Sequence, residues 1–162
     1  PNDAIIIASG TTVLAFARCI PPEAQLTVLT SAMNVAMALL NCQQVEVIQL
    51  GGIVRHTSSS VTGEYALRML ENFSGTKLFL GVDGIDLKYG LTTTNFMEAS
   101  VNRAMIDAAQ KIIVLTDSSK FGRRGFGKIC ELDAVDQIIT DSGVSPKVVR
   151  ELEELGIKVS IV

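Results

Sequence analysis

Four consecutive residues near the start of the sequence have the side chains and the backbone freedom to bind an anion. An apolar run at 4–8 is followed by Ser9, Gly10, Thr11 and Thr12, and a helical pattern begins at the last of them. Gly10 permits a tight turn and a close backbone approach. The hydroxyls and the first N–H groups of the following helix attract negative charge. These residues predict a phosphate-binding turn, with an ordinary capped helix start as the alternative.

Further polar and glycine residues follow the next two apolar runs. Thr30 and Ser31 follow the second run, where they either extend a polar rim or cap the next helix. Gly51 and Gly52 follow the third run and allow a close backbone approach. The guanidinium of Arg55 suits a phosphate or a carboxylate, although a loop arginine is commonly a solvated surface charge. We predict Thr30, Gly51, Gly52 and Arg55 as candidate ligand contacts.

Carboxylates and a lysine follow the fourth and fifth apolar runs. Asp83 and Asp86 flank a Gly-Ile turn, and Glu98 stands near the start of the clearest helical pattern. Carboxylates at a strand end bind sugar hydroxyls, but Asx residues beside glycine also form turns, and an acidic first turn complements the helix dipole. Lys120 follows three small polar residues, which places its ammonium to meet a phosphate or sugar oxygen. Asp83, Glu98 and Lys120 are therefore candidate ligand contacts.

Other residue patterns indicate which chemistry to exclude. Residues 122–128 fit G-x-x-x-x-G-K, but Ile129 stands where a P-loop needs Ser or Thr, and no convincing helix follows. The single histidine has no cysteine or second histidine near it, so we predict neither a metal site nor a cofactor. Cys19, Cys42 and Cys130 are widely spaced, which predicts small core residues in a reducing cytoplasm rather than a disulfide framework.

Seven short β-rich runs alternate with helical patterns along the chain. Several runs are apolar throughout, which is typical of parallel strands buried on both faces. The predicted strands cover 4–8, 26–29, 45–50, 78–82, 112–115, 137–140 and 158–161. The predicted helices cover 12–19, 33–40, 64–70, 98–109 and 145–155. Two stretches, 51–63 and 83–96, show no periodicity and are predicted as long functional loops.

This alternation predicts an α/β fold with a mostly parallel sheet and helices on both faces. The 162 residues suit one domain, and a content of 48% hydrophobic and 19% charged residues suits a globular core. A net charge of −3 makes the chain alone a poor candidate for nucleic-acid binding. There is no apolar run of roughly 18 residues and no basic leader, so we expect neither a membrane span nor a signal peptide.

Five motifs, in order along the chain, carry a resemblance to a known family. They are "SGTT", "LGGIVR", "GVDGID", "TNFMEA" and "DSSKFG". Together they resemble the effector-sensing domain of the deoxyribose-operon-repressor (DeoR) family, and the resemblance covers nearly the whole chain. It implies a fold similar to that of ribose-5-phosphate isomerase, and a bacterial regulator, in most cases a repressor, of carbohydrate metabolism. It also implies that a winged helix-turn-helix domain precedes this one and is absent from residues 1–162.

The resemblance further implies a site for a phosphorylated sugar or a similar metabolite. By position, Ser9, Gly10, Thr11 and Thr12 would hold the phosphate, Gly51, Gly52 and Arg55 would line the cleft, and Asp83 and Glu98 would face the sugar with Lys120 nearby. Two departures bear on which sugar is recognised. Ala8 stands where these repressors usually have Asp, and "TSA" at 30–32 replaces the usual Thr-Asn-Ser.

The family also implies partners and a compartment. We expect a homodimer or homotetramer in the cytoplasm, which contacts operator DNA only through the preceding domain. The small-molecule effector would be the one ligand bound by this chain itself. The resemblance implies no catalytic residues.

An aldose–ketose isomerase is the alternative function. That reaction needs a carboxylate base within about 3 Å of the proton beside a carbonyl and donors for the enediolate oxygen. Asp83, Asp86 and Glu98 are candidates for the base, and Lys88 or Lys120 for the donor. "DGID" and "TDSSK" are similar to isomerase motifs, but "DLKYGLTTTN" replaces the glycine-rich lysine loop of that enzyme. We therefore expect a sensor rather than an enzyme.

Overall fold

The structure, a computed structural model, describes residues 3–162, which form twelve strands and five α-helices. The strands are β1 (Asp3–Ile7), β2 (Leu26–Thr30), β3 (Val45–Gln49), β4 (Ile53–Arg55), β5 (Ser60–Thr62), β6 (Gly75–Leu80), β7 (Gly84–Asp86), β8 (Gly90–Thr93), β9 (Ala109–Leu115), β10 (Gly127–Cys130), β11 (Gln137–Thr140) and β12 (Lys158–Ile161). The helices are α1 (Thr11–Arg18), α2 (Met33–Ala38), α3 (Glu64–Leu70), α4 (Phe96–Asp107) and α5 (Pro146–Glu154).

The central sheet contains seven parallel strands in the order β12-β11-β9-β6-β1-β2-β3. These are the seven strands that the sequence predicts, with shifts of one to three residues at several ends. From β1 the chain proceeds outward through β2 and β3, then returns to β6 and continues in the opposite direction. The strand order therefore reverses between β1 and β6, and such a reversal opens a crevice at the carboxyl edge of a parallel sheet.

Successive side chains of each strand enter two separate cores, because neighbouring residues point to opposite faces of a sheet. Ile5 and Ile7 of β1 face one core, and Ile6 and Ala8 face the other. The first core is completed by α1 and α2 through Val13, Ala17, Val35 and Leu39. The second is completed by α3, α4 and α5 through Ala66, Leu70, Ala99, Met105 and Leu152. The predicted α/β fold with helices on both faces is confirmed.

Two stretches predicted as long loops contain short strands instead. Strands β4 and β5 form an antiparallel hairpin, and β7, β8 and β10 form a separate antiparallel sheet. Each of these strands has only three or four residues. Such short strands show no hydrophobic periodicity and therefore could not be recognised from it. The prediction that 51–63 and 83–96 are long loops without strands was wrong.

The helices lie where their periodicity predicts them, and α4 begins two residues earlier than predicted. Its first residue is Phe96 because the Asn95 side chain accepts hydrogen bonds from the backbone N–H groups of Met97 (3.0 Å) and Glu98 (3.1 Å). This cap fixes Glu98 in the first turn. In the part of the chain that the structure describes, no helix has the length and apolar character needed to cross a bilayer.

Residues 122–128, which resemble a P-loop, run into strand β10 instead of a helix. Lys128 lies 4.5 Å from the centre of the Tyr89 ring, and its Nζ is 2.5 Å from Oε1 of Glu131. Arg124 lies over the same ring at 4.3 Å. The basic residues of this segment therefore stabilise a turn on the surface of the small sheet.

Candidate functional site

A cavity of about 390 Å³ opens at the carboxyl edge of the central sheet, where the strand order reverses between β1 and β6. Its walls come from the segments after β1, β6 and β9, from β8, from the first half of α4, and from the connection between β4 and β5. The residues that line it are Ser9, Gly10, Thr11, Thr12, Thr57, Ser58, Gly81, Val82, Asp83, Thr93, Thr94, Glu98, Asn102, Leu115 and Lys120.

The start of α1 forms one end of the cavity. Gly10 has φ +134°, a conformation that favours glycine, and turns the chain from β1 into the helix. The first backbone N–H groups of a helix have no intrahelical partner. In α1 no side chain caps these groups, and no acidic residue stands in the first turn. Ser9, Thr11 and Thr12 add hydroxyls beside them. This end of the cavity can donate hydrogen bonds to an anion.

The end of β6 packs closely against this turn. A Cβ placed on Gly81 would lie 3.2 Å from the backbone carbonyl oxygen of Ser9. The absence of a side chain at Gly81 therefore lets the two strand ends approach each other. Gly81 lines the cavity, although the sequence analysis did not select it.

Lys120 reaches the cavity from a short 3₁₀ turn, Ser118–Lys120, that follows β9. Asp117 begins this turn, and its carboxylate accepts the backbone N–H of Ser119 at 2.9 Å. Asp141, after the neighbouring strand β11, accepts the backbone N–H of Ser118 at 2.9 Å. Among the residues described, the Lys120 ammonium forms no ion pair. It is therefore available to a ligand.

Both aspartates have lowered pKa values because they accept hydrogen bonds as carboxylates. For Asp117 the main cause is the side-chain hydroxyl of Ser119, followed by the backbone N–H of the same residue. For Asp141 the main cause is the backbone N–H of Ser118. The two carboxylates are consequently charged at neutral pH and hold the turn that carries Lys120.

Asp83 lines the cavity three residues after the end of β6, the strand that lies between β1 and β9 in the sheet. Its Oδ2 accepts hydrogen bonds from the Thr93 hydroxyl (2.7 Å) and the Thr94 backbone N–H (3.0 Å). Strand β8 thus fixes the carboxylate in one orientation. Its Oδ1 forms no hydrogen bond within residues 3–162 and remains available for a hydroxyl group of a ligand.

Glu98 connects α4 with the β4–β5 hairpin. Its Oε1 accepts the hydroxyl of Ser60 at 3.4 Å, and its Oε2 lies 3.6 Å from Nε of Arg55. The side chains of Glu98 and Arg55 are 12% and 30% exposed, so the pair is only partly screened by solvent. Ser58, on the cavity wall, shares a hydrogen bond of 2.7 Å with Ser60. The hairpin is thereby held against the cavity.

Most of the residues selected from the sequence lie together along the cavity. These are Ser9, Gly10, Thr11, Thr12, Asp83, Glu98 and Lys120. Arg55 does not line the cavity itself, but it forms an ion pair with Glu98, which does. The structure brings these residues together from five separate segments of the chain.

Thr30, Gly51 and Gly52 do not line the cavity, contrary to expectation. Thr30 is buried, and its hydroxyl accepts the backbone N–H of Ala32 at 3.1 Å, which shapes the turn after β2. Gly51 is exposed, and no atom lies within 4 Å of a Cβ built on it. A Cβ on Gly52 would lie 2.5 Å from the Thr62 carbonyl oxygen, so this glycine permits close packing within the hairpin.

Asp86 and Ala8 also have structural roles. Asp86 accepts the backbone N–H groups of Tyr89 (2.8 Å) and Lys88 (2.9 Å), which lower its pKa and close the β7–β8 turn. The turn-forming alternative therefore describes Asp86. Ala8, at the position where the family usually has Asp, is fully buried in the second core.

Several cavity residues were missed by the sequence analysis. Thr93 pairs with Gly127 of β10 and Thr94 follows it, and this pairing could not be recognised without the small sheet. Asn102 stands four residues after Glu98 and therefore on the same face of α4, which was a usable signal. Thr57 and Ser58 lie between β4 and β5, in the stretch 51–63 that the sequence analysis predicted as a functional loop, although neither was selected as a ligand contact.

The cysteines and the histidine contribute no metal centre. Cys42 is buried as expected of a core residue, whereas Cys19 is exposed at the end of α1, so its prediction as a core residue was wrong. Burial, together with nearby Asp133 and Glu131, raises the pKa of Cys130 to about 12. Within residues 3–162, no group of three or more His, Cys, Asp or Glu side chains could hold a metal ion.

Comparison with known proteins identifies a family. The family model described as the DeoR C terminal sensor domain matches residues 1–142. A protein of Escherichia coli O157:H7 that carries the name of aga operon transcriptional repressor is 41% identical over 162 residues, which are 100% of this chain and 60% of that protein. The HTH-type transcriptional regulator YulB of Bacillus subtilis (strain 168) is 38% identical over 161 residues, covering 99% and 62% of the two chains. This chain thus spans about three fifths of these relatives.

A solved structure supports the fold. Ribose 5-phosphate isomerase from Plasmodium falciparum matches with a TM-score of 0.52 at 15% identity, over 78% of this chain and 48% of that one. At such an identity the likeness concerns the fold alone. The family and the curated relatives are transcriptional regulators and not enzymes, which argues against the isomerase alternative.

Proposed function

Because the chain belongs to the family of DeoR C-terminal sensor domains, we propose that its cavity binds a phosphorylated sugar that controls a transcriptional regulator. The phosphate lies against the start of α1, and the hydroxyl-bearing carbon chain extends toward Asp83 and Glu98. The cavity of about 390 Å³ is near the lower end of the size range of small-ligand sites. One observation carries the proposal: a helix start rich in free donors and an unpaired lysine share a cavity with two fixed carboxylates.

The donor groups and carboxylates that line the cavity favour a ligand that combines one anionic group with neutral hydroxyls. The α1 N-terminus and Lys120 attract a phosphate dianion, which accepts several hydrogen bonds at once. Asp83 and Glu98 would repel a second phosphate but accept hydrogen bonds from neutral hydroxyls. A sugar monophosphate therefore suits the cavity better than a bisphosphate.

Ligand binding must favour one conformation of the regulator in order to change its affinity for DNA. A ligand that bound two conformations equally well would leave the equilibrium between them unchanged. The β4–β5 hairpin supports such a difference, since Ser58 and Glu98 join it to the cavity wall. In the whole protein, we propose that a preceding winged helix-turn-helix domain contacts the operator. We also propose that two or four copies assemble and respond together.

Titration calorimetry on residues 1–162 tests the ligand class. The panel contains hexose 6-phosphates, pentose 5-phosphates and glycerol 3-phosphate, each beside its unphosphorylated counterpart. At least one sugar phosphate should bind at least about 100-fold more tightly than the free sugar, since several charge-assisted hydrogen bonds are lost without the phosphate. Lys120→Ala should weaken that binding by about tenfold or more.

Lys147→Ala is the matched control, because Lys147 is exposed on α5 and does not line the cavity. It should bind like the unmodified chain. Equal binding of phosphorylated and free sugars, or no binding across the panel at millimolar concentration, would refute the proposed function.

A further inference from the structure

Asn102 is a largely buried residue whose side chain lines the cavity. It is 6% exposed and stands in α4 beside Ala99, Val101 and Met105, which are at most 2% exposed. Its side chain nevertheless lines the cavity, together with the buried residues Val82 and Leu115. Asn102 is thus a polar residue among closely packed apolar neighbours.

The Asn102 side chain forms no hydrogen bond with any of residues 3–162. An asparagine amide offers two donor hydrogens and an acceptor oxygen. The amide atoms of Asn102 are not among the fully buried, unpartnered side-chain atoms of the described residues, so they face the open space of the cavity. The amide is therefore available to a molecule that enters the cavity.

The surroundings of Asn102 indicate what it would contact. Glu98, one turn earlier on the same face of α4, is already bound to Arg55 and Ser60. Asp83 has one carboxylate oxygen bound to β8 and the other available. A ligand hydroxyl can donate to a carboxylate and accept from an amide at the same time. Neither contact requires a charge on the ligand.

We propose that Asn102 is a specificity-determining residue that binds a hydroxyl or carbonyl oxygen on the carbon chain of the ligand. The proposal rests on the proposed function, because it concerns the part of the ligand beyond the phosphate. It assigns recognition of the phosphate to the start of α1 and Lys120, and discrimination between sugars to the Asn102 amide.

The variant Asn102→Leu tests this division. Calorimetry compares the tightest-binding sugar phosphate of the panel, its monodeoxy analogues and inorganic phosphate. Asn102→Leu should weaken binding of the sugar phosphate by about tenfold or more, because a hydrogen bond is lost, and change that of inorganic phosphate by less than about twofold. One monodeoxy analogue should bind about tenfold less tightly than its parent to the unmodified chain and equally to the variant.

Thermal unfolding without ligand gives a second measurement. Asn102→Leu should leave Tm nearly unchanged, because the amide forms no hydrogen bond within residues 3–162 that the variant would lose. The matched control is Asn34→Leu, since Asn34 on α2 has a buried, unpartnered Oδ1 but does not line the cavity. It should change ligand affinity by less than about twofold.

The outcomes separate the two proposals. If no sugar phosphate binds the unmodified chain, the proposed function fails and this inference fails with it. If one binds and Asn102→Leu keeps both its affinity and its discrimination against the deoxy analogues, only the role of Asn102 is refuted. If the variant does not fold, calorimetry on the unmodified chain is the test. Equal affinity of that chain for the parent sugar phosphate and for every monodeoxy analogue would then overturn the inference.

Discussion

Two carboxylates hold the turn that carries Lys120. Asp117 caps the turn that carries the lysine, and Asp141 reaches the same turn from the end of β11. Their pKa values are lowered because the carboxylates accept hydrogen bonds that their protonated forms would weaken. The position of this candidate phosphate contact is therefore linked to pH.

Asp141→Asn should make the stability of the chain less dependent on acid pH. A carboxyl group whose pKa is lower in the folded state stabilises the protein above its unfolded pKa of about 3.9, and that contribution is lost as pH falls through the folded pKa. Thermal unfolding at pH 7, 5, 4 and 3 should show a smaller fall in Tm for Asp141→Asn. At pH 7 the variant should be less stable than the unmodified chain.

Asp107→Asn is the control for this titration, because Asp107 is exposed at the end of α4 and forms no ion pair within residues 3–162. Its pH profile should follow that of the unmodified chain. Parallel profiles for Asp141→Asn and the unmodified chain would contradict the assigned role of Asp141.

Of the three cysteines, Cys19 should be the one that reacts rapidly with a thiol reagent in the folded protein. Cys19 is exposed and Cys42 is buried. The raised pKa of Cys130, about 12, keeps that thiol protonated at pH 7.5, and the thiolate is the reactive form. Ellman's reagent should detect one fast thiol in the native chain and all three in denaturant. Rapid native reaction of Cys19→Ser would contradict this assignment.

At the scale of elements, the small antiparallel sheet depends on glycines that allow its strands to meet. Gly90 has φ +111°, and a Cβ there would clash with the backbone carbonyl oxygen of Cys130 on β10. Both the positive φ of Gly90 and its close approach to Cys130 exclude a larger residue at position 90. The sheet in turn positions Thr93, which orients Asp83.

Gly90→Ala should lower the free energy of unfolding by at least about 2 kcal/mol, through backbone strain and displacement of β10. Chemical denaturation measures this loss. Gly51→Ala is the matched control, because no atom lies within 4 Å of its new Cβ, and it should cost less than about 1 kcal/mol. Similar costs for the two variants would show that the contact with β10 is not restrictive.

The sequence predicts some elements well and others poorly, for a physical reason. Strands such as β1 and β9 are continuous apolar runs because both faces of the central sheet are buried. Strands β7 and β8 are defined by their hydrogen bonds to each other and to β10, and that pairing leaves no periodic pattern in Gly84–Asp86 or Gly90–Thr93. Their existence therefore could not be predicted from local sequence.

The same distinction applies to the cavity. Residues at the ends of central strands, such as Ser9 and Asp83, could be selected because parallel strands end at a common edge. Thr93 and Asn102 reach the cavity from β8 and α4, and their approach depends on tertiary packing. Gly51 and Gly52 follow β3, which also belongs to the central sheet. However, β3 is the edge strand on its side and is separated by β2 from β1, where the strand order reverses.

At the scale of the whole molecule, a ligand that bridges the reversal point should stabilise both halves of the sheet. Binding to the folded state alone adds about 2.7 kcal/mol at a concentration of 100 times Kd. For a domain of this size, Tm should rise by about 5–10 °C. Differential scanning calorimetry with the tightest-binding sugar phosphate measures the shift. Lys120→Ala at the same ligand concentration should show a smaller one, and an equal shift would place the phosphate elsewhere.

The residues that line the cavity differ in solvent exposure, and this difference determines how an affinity resin could capture the protein. Gly10, Thr11 and Thr12 are exposed at the mouth of the cavity, whereas Val82, Asn102 and Leu115 are buried. A sugar phosphate in the proposed orientation enters with its carbon chain first and keeps its phosphate near the solvent. A resin that carries the sugar through a linker on the phosphate should therefore retain the protein, whereas a linker on the opposite end of the sugar should prevent retention.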